Sequence, residues 1–248
     1  MGLYAARLFA GSALHPVRLI MNNKTVNTAL GACSQLYGVI TETVNRTLSL
    51  PGAGAYFLGL QATKKLRLQV MILRDEQGVP VIQEAVVAES MRAASQLFLE
   101  LCNVKLLWRE PAIVTLPNPA PTAALDVHCD AEGWKEDFDI AGRYFRQQMA
   151  KTAVGTLTGY ASPITVFIVR KMAVKAGCSL GPLANYVTVV GRVMEKSANS
   201  RILAHEVGHA CLLLHSEDED NLMYPMPGTQ LEPWQAAMAR NSRHITYL

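Results

Sequence analysis

The stretch "HEVGHACLLLH", from His205 to His215, constrains this chain more than any other. On a helix, residues four apart lie about 40° apart around the axis and about 6 Å along it. His205 and His209 can therefore aim two imidazoles at one point. Glu206 is rotated away from that point, yet its carboxylate can reach a water held there. His215 is different, because on a continuous helix it would sit about 15 Å along the axis from His205 and off the common face. If the three rings meet, the helix must break just after His209 and the chain must fold back. An ordinary amphipathic helix needs no such break.

Zinc is the ion this pattern suits. It takes four ligands, with nitrogen at about 2.0–2.1 Å, and a catalytic site leaves one position to water. With a composition like this one, His-Glu-x-x-His arises by chance in roughly one sequence of this length in a hundred. A third histidine at a fixed later position lowers that to roughly one in several thousand. The competing reading of the pattern is a set of satisfied histidines at a buried helix end. A rival third ligand is a downstream carboxylate, with Glu217, Glu219 and Glu232 at usable distances along the chain.

The same stretch, followed by "SEDEDNLMYP", resembles the metzincin zinc peptidases. Their long motif places three zinc histidines at these offsets and a methionine-containing turn downstream, which "NLMY" around Met223 matches. Ser216 directly after the third histidine, together with "LMYP", is most similar to the matrixin branch. The resemblance covers about residues 197–245. One position departs from it, since the family usually has glycine where this chain has Leu212. Glycine accepts a positive φ at little cost, whereas leucine there is strained or requires another turn.

The resemblance implies a zinc-dependent endopeptidase acting on protein or peptide substrates. His205, His209 and His215 would hold one zinc, and Glu206 would serve as general base and pass the proton to the leaving amine. Met223 would form an apolar floor to the site. Tyr224 sits one position early for the tyrosine ligand of some branches and reads as structural. "YPMPGTQ" would wall the pocket for the residue after the scissile bond. The implied fold is a metzincin-like α+β zincin. It has a twisted mixed sheet with an α/β-like upper subdomain, an active-site helix, a methionine turn and a C-terminal helix. A peptidase domain delivered as a toxin or effector, and a zinc-bound but inactive binding domain, are the alternatives. Retention of Glu206 speaks against the inactive form, because a purely structural site does not require that carboxylate.

The rest of the chain is consistent with one domain of this kind. "LRLQVMIL" alternates as a strand, and "RDEQGVP" reads as a turn. "IQEAVVAESMRAASQLFLEL" carries a helical apolar stripe. "VKLLW" and "AIVTL" suggest further strand, and Pro117, Pro119 and Pro121 a loop. "DVHCDAEGWKEDFD" is acidic and irregular; it lacks the spacing of a calcium loop, so a solvated loop is the simpler reading. "IAGRYFRQQMAKTA" suggests a helix, "ITVFIVRKM" a strand, and "GCSLGPLANYVTVVG" a turn with an edge-type strand. Ser197 or Asn199 is placed to cap "SANSRILAHEVGHACLLL". "GTQLEPWQAAMARNSR" should be a helix, with Pro233 tolerated in its first turn.

Residues 1–62 have no counterpart in that family, and the peptidase domain is expected over residues 63–248. The N-terminal part is rich in small residues, with helix expected from about Val26 to Leu48 and a break at Pro51-Gly52. We read it as a helical extension packed on the main domain. A prosegment or a membrane-contacting arm are the other readings. "MGLYAARLFAGSALHP" is too short and too glycine-broken to make a convincing signal peptide. The peptidase family is nevertheless mostly exported, so secretion or delivery outside the producing cell is expected.

Composition narrows the partners. A net charge of +3 with no basic block makes nucleic acid a poor partner. No apolar run reaches the ~20 residues of a spanning helix. Five cysteines without a CxxC pair argue against a cysteine-only zinc site, while leaving room for one or two bridges. Cys178 and Cys211 read as packing residues, and no zinc-capping motif surrounds Cys33.

Overall fold

The computed structural model describes residues 62–247 apart from 130–139, 153–160, 174, 181–183, 197–199 and 226–227. Upstream it describes residues 36, 39–44, 46, 47, 51, 54, 55, 58 and 59. Most of the expected 26–48 helix and the acidic stretch after Cys129 lie outside these residues, as do Ser197 and Asn199. Residues 39–44 are helical.

One twisted mixed sheet organises the chain. Strand β1 (Lys64–Arg74) leads through helix α1 (Glu84–Cys102) to β2 (Val104–Pro119), which pairs parallel with β1. Helix α2 (Thr122–Leu125), the short β3 (Asp126–Val127) and helix α3 (Gly142–Thr152) precede β4 (Ile164–Val169), which pairs parallel along the other edge of β1. β5 (Lys171–Met172) pairs with β3 in a separate ladder. β6 (Gly177–Ser179) runs antiparallel to β7 (Tyr186–Val190), which is parallel to β4. Helices α4 (Gly191–Met194), α5 (Ile202–Ala210) and α6 (Pro233–Arg240) follow, and β8 (Ile245–Thr246) closes back on β1. The order across the sheet is β2-β1-β4-β7-β6.

The central strands are buried on both faces, which explains their nearly unbroken apolar sequences. Leu66, Leu68, Val70 and Ile72 of β1 face the layer containing α1, α5 and α6, together with Ile164, Val166 and Ile168 of β4. Met71, Leu73, Phe167 and Val169 point the other way, towards Phe145 and Met149 of α3. Helix α1 presents Val87, Met91, Ala94, Phe98 and Cys102 to the first layer, a stripe at intervals of three and four. This packing fixes α5 against the sheet with its histidine face turned to the β6 edge.

Three sequence expectations need correction. The two segments expected between residues 104 and 116 are one strand, which continues through Pro117 and Pro119 instead of ending in a loop. Among the described residues β2 pairs only with β1, so its outer side has no described ladder for those prolines to break. The edge strand is the short Gly177–Ser179, while Tyr186–Val190 lies inside the sheet between β4 and β6. Helix α5 begins at Ile202 after Arg201 and has no side-chain cap. By contrast, Pro233 falls in the first turn of α6 as expected, although the helix spans only Pro233–Arg240 of the expected stretch and starts on a capping box between Glu232 and Gln235.

Candidate metal centre

Helix α5 ends at Ala210, one residue after the second histidine. Its end is a Schellman arrangement, in which the Leu213 N–H donates to Gly208 O at 3.0 Å and the Leu212 N–H to His209 O at 2.9 Å. Leu212 takes the left-handed conformation, with φ of 65°. The turn usually served by glycine is therefore kept with leucine in place, at about 1–2 kcal/mol of local strain. Reversal of the chain there brings His215 back to the helix.

The three imidazoles meet. Nε2 of His209 lies 3.1 Å from Nε2 of His205 and 3.1 Å from Nε2 of His215. Nδ1 of His205 is 2.7 Å from the Leu222 carbonyl oxygen, and Nδ1 of His209 is 2.7 Å from that of Leu213. Carbonyl oxygens only accept, so both Nδ1 atoms carry the hydrogen. A neutral ring then turns its lone pair outward from Nε2. Lone pairs converging at this separation repel each other unless a cation lies among them. Nitrogens about 2.0–2.1 Å from a tetrahedral zinc stand about 3.3 Å apart, so the donor set fits that ion. Burial pulls His205 and His209 down to about 4, which keeps both rings in the neutral form that a metal requires.

Among the described residues, these three histidines are the one group with metal-ligating atoms so gathered. Glu217, Glu219 and Glu232 do not join it. The Glu232 side chain is engaged in the capping box of α6.

Glu206 is buried beside the histidines, and its Oε2 has no hydrogen-bond partner among the described residues. Burial drives its carboxyl up to about 8, against a lowering influence from Lys175. Gly177 of the edge strand passes so close that a side chain there would overlap this carboxylate. The histidines, Glu206, Lys175, Gly177, Cys178 and Leu212 border an open cleft of about 580 Å³, with Pro225 on its rim.

The residues after the third histidine support the first two. Met223 is fully buried, and its Sδ lies against the bare backbone of Gly208, where a Cβ would come within 2.8 Å. Asn221 holds the turn through Oδ1, which accepts from the Met223 N–H at 2.8 Å, and its Nδ2 donates to Gln235 at 2.7 Å. Tyr224 contributes its carbonyl, which accepts from Arg201 Nη2 at 2.8 Å. The other Arg201 terminus donates to Leu222 O at 2.6 Å, the same carbonyl that orients His205. Arg201 thus ties the turn to the root of the helix. Nothing in its sequence context marks it, and Gly177 and Gly208 were equally silent before their neighbours were known.

Cys178 is corrected. It forms a disulfide with Cys129 at the cleft instead of serving as a packing residue, and the bridge joins the edge strand to the segment after β3. Cys211 is a free, buried thiol behind the helix end, as expected of a packing residue.

Two solved structures have a similar chain path. One is metalloproteinase-II from Bacteroides fragilis, at 17% identity and a TM-score of 0.43, covering 74% of this chain and 55% of that one. The other is a zinc-dependent peptidase from Methanocorpusculum labreanum (strain Z), at 11% identity and a TM-score of 0.38, covering 71% and 94%. The chain therefore spans about half the length of the first. No protein-family model and no curated protein matches it. The likeness concerns chain path alone, and the chemistry of the site is argued from its own geometry.

Proposed function

We propose that this chain is a zinc-dependent endopeptidase of the metzincin kind, nearest to matrixins in Ser216 and the "LMYP" turn. The observation that carries the reading is the convergence of three Nε2 atoms, two of them with Nδ1 anchored on carbonyls, in an open cleft beside a buried carboxylate whose Oε2 has no hydrogen-bond partner among the described residues. His205, His209 and His215 would hold the ion. Zinc bound there supplies a Lewis acid that polarises a carbonyl and acidifies water to a pKa of about 7.

The remaining work falls to the chain. Glu206 takes a proton from the attacking water and hands it to the departing amine. A group that must both accept and release a proton works best with its pKa near neutrality, and burial moves Glu206 in that direction. A neighbouring dication opposes the shift and keeps the carboxylate able to accept. The outer backbone groups of β6, at the sheet edge and on the cleft, are placed to receive an extended peptide as an added strand. Secretion or delivery outside the producing cell belongs to the same proposal. The Cys129–Cys178 bridge supports it, because disulfides persist mainly in oxidising compartments.

Metal removal tests the reading. Incubation with a peptide library should yield internal cleavages that stop after dialysis against a zinc chelator. One equivalent of zinc should restore them. Zinc-loaded protein that cleaves nothing across a broad library would instead favour an inactive binding domain.

A further inference from the structure

A residue outside the peptidase segment reaches the end of the active-site helix. Arg46 is helical, as are residues 39–44 and 47, and it lies well over a hundred residues upstream of the site. Its Nη2 donates to the carbonyl of Cys211 at 3.1 Å, and its Nη1 to that of Met238 at 3.4 Å. Nε pairs with Glu42 Oε1 at 2.8 Å, and Glu42 Oε2 accepts from the backbone N–H of Arg243 at 3.1 Å. Glu42 is almost wholly buried and Arg46 only a quarter exposed, so this pair lies largely out of water.

The position of Cys211 gives the contact its meaning. A helix leaves its last four carbonyls without intrahelical donors. In α5, those of Gly208 and His209 are satisfied by the returning chain at Leu213 and Leu212. That of Cys211 is held by Arg46. It belongs to the peptide group immediately before Leu212, the strained left-handed residue. One residue further on, Leu213 supplies the carbonyl that fixes the His209 tautomer, and two residues after that comes His215. A guanidinium is also electrostatically favourable at a helix C-terminus, and here it spans two of them, α5 and α6.

We propose that Arg46, braced by Glu42, is a positioning residue for the metal centre. It holds the peptide plane before Leu212 and so sets the direction in which His215 and the Leu213 carbonyl return to the site. The N-terminal segment thereby contributes to metal binding without supplying a ligand. The inference rests on the zinc-site reading above.

The test compares the full-length parent with Arg46→Met, which keeps the bulk of the stem and removes every donor, and Arg46→Lys, which keeps the charge but cannot span both carbonyls. Zinc affinity is measured by competition with a chromophoric chelator, the cobalt(II)-substituted protein is examined by visible absorption, and the metal-free Tm is recorded. Arg46→Met should weaken zinc binding about tenfold, at the low end of outer-shell effects, and alter the cobalt bands. Arg46→Lys should fall between it and the parent. If Arg46→Met does not fold, the lysine variant decides on the same two readouts. A lowered metal-free Tm with parental zinc affinity and parental cobalt bands would show a merely structural contact and overturn the proposal. A parent that binds no zinc would instead overturn the zinc-site reading, and this inference with it.

Discussion

Glu206→Gln should leave the fold and the bound zinc in place while peptide hydrolysis falls by about a thousandfold, within the range for loss of a general base. The substitution preserves the shape of the side chain, which matters where Gly177 leaves no spare room. No hydrogen bond from Oε2 to the described residues is lost, because it makes none with them. A neutral amide is also less costly to bury than a carboxylate. The three imidazoles keep their Nε2 atoms, and His205 and His209 keep their carbonyl anchors, so the metal should remain. What disappears is the site for the travelling proton. The variant should therefore match the parent in zinc content and circular dichroism, and its kcat should collapse. Cleavage at the parental rate would remove Glu206 from the mechanism.

Deletion of residues 1–60 should yield protein that aggregates and has no activity. Glu42 and Arg46 occupy the carbonyls of Cys211 and Met238 and the N–H of Arg243. Each buried polar group left without a partner costs about 1–3 kcal/mol. The Met238 carbonyl keeps the Asn241 N–H, but loss of the other two contacts costs about 2–6 kcal/mol, a large share of the about 5–15 kcal/mol that typically holds a domain together. A prosegment predicts the opposite, a soluble truncated protein more active than the parent. A membrane-contacting arm predicts unchanged hydrolysis with loss of vesicle binding. Size-exclusion chromatography and a peptide assay on the truncated protein separate the three. A monomeric, stable and fully active product would contradict an integral N-terminal layer.

The site was legible where chemistry depends on spacing. The interval of four between His205 and His209, with His215 too far along for one helix, demanded a break just past His209, and α5 ends one residue later. The central strands were legible because burial on both faces leaves long apolar runs, as in "ITVFIV". That same uniformity hid their order. "YVTVV" reads alike at an edge or inside a sheet, and only pairing with β4 and β6 places it inside. Prolines 117 and 119 suggested a loop, because a sequence does not reveal that a strand has one side free. Contacts between distant residues left no local trace. Met223 against Gly208, Gly177 against Glu206, Arg46 on Cys211 and the Cys129–Cys178 pairing all depend on which surfaces the fold brings together. Leu212 is the instructive case. Propensity argued against a left-handed leucine, yet the two hydrogen bonds of the helix end and the return of His215 hold it there.

The proposed zinc site of His205, His209 and His215 is decided by metal content. Elemental analysis of the purified parent and of His215→Ala, after equilibration with a weak competing chelator, tests it most directly. One zinc per chain is expected in the parent and a large loss in the variant. Undiminished zinc in His215→Ala, with loss only on substitution of Glu232, would contradict it.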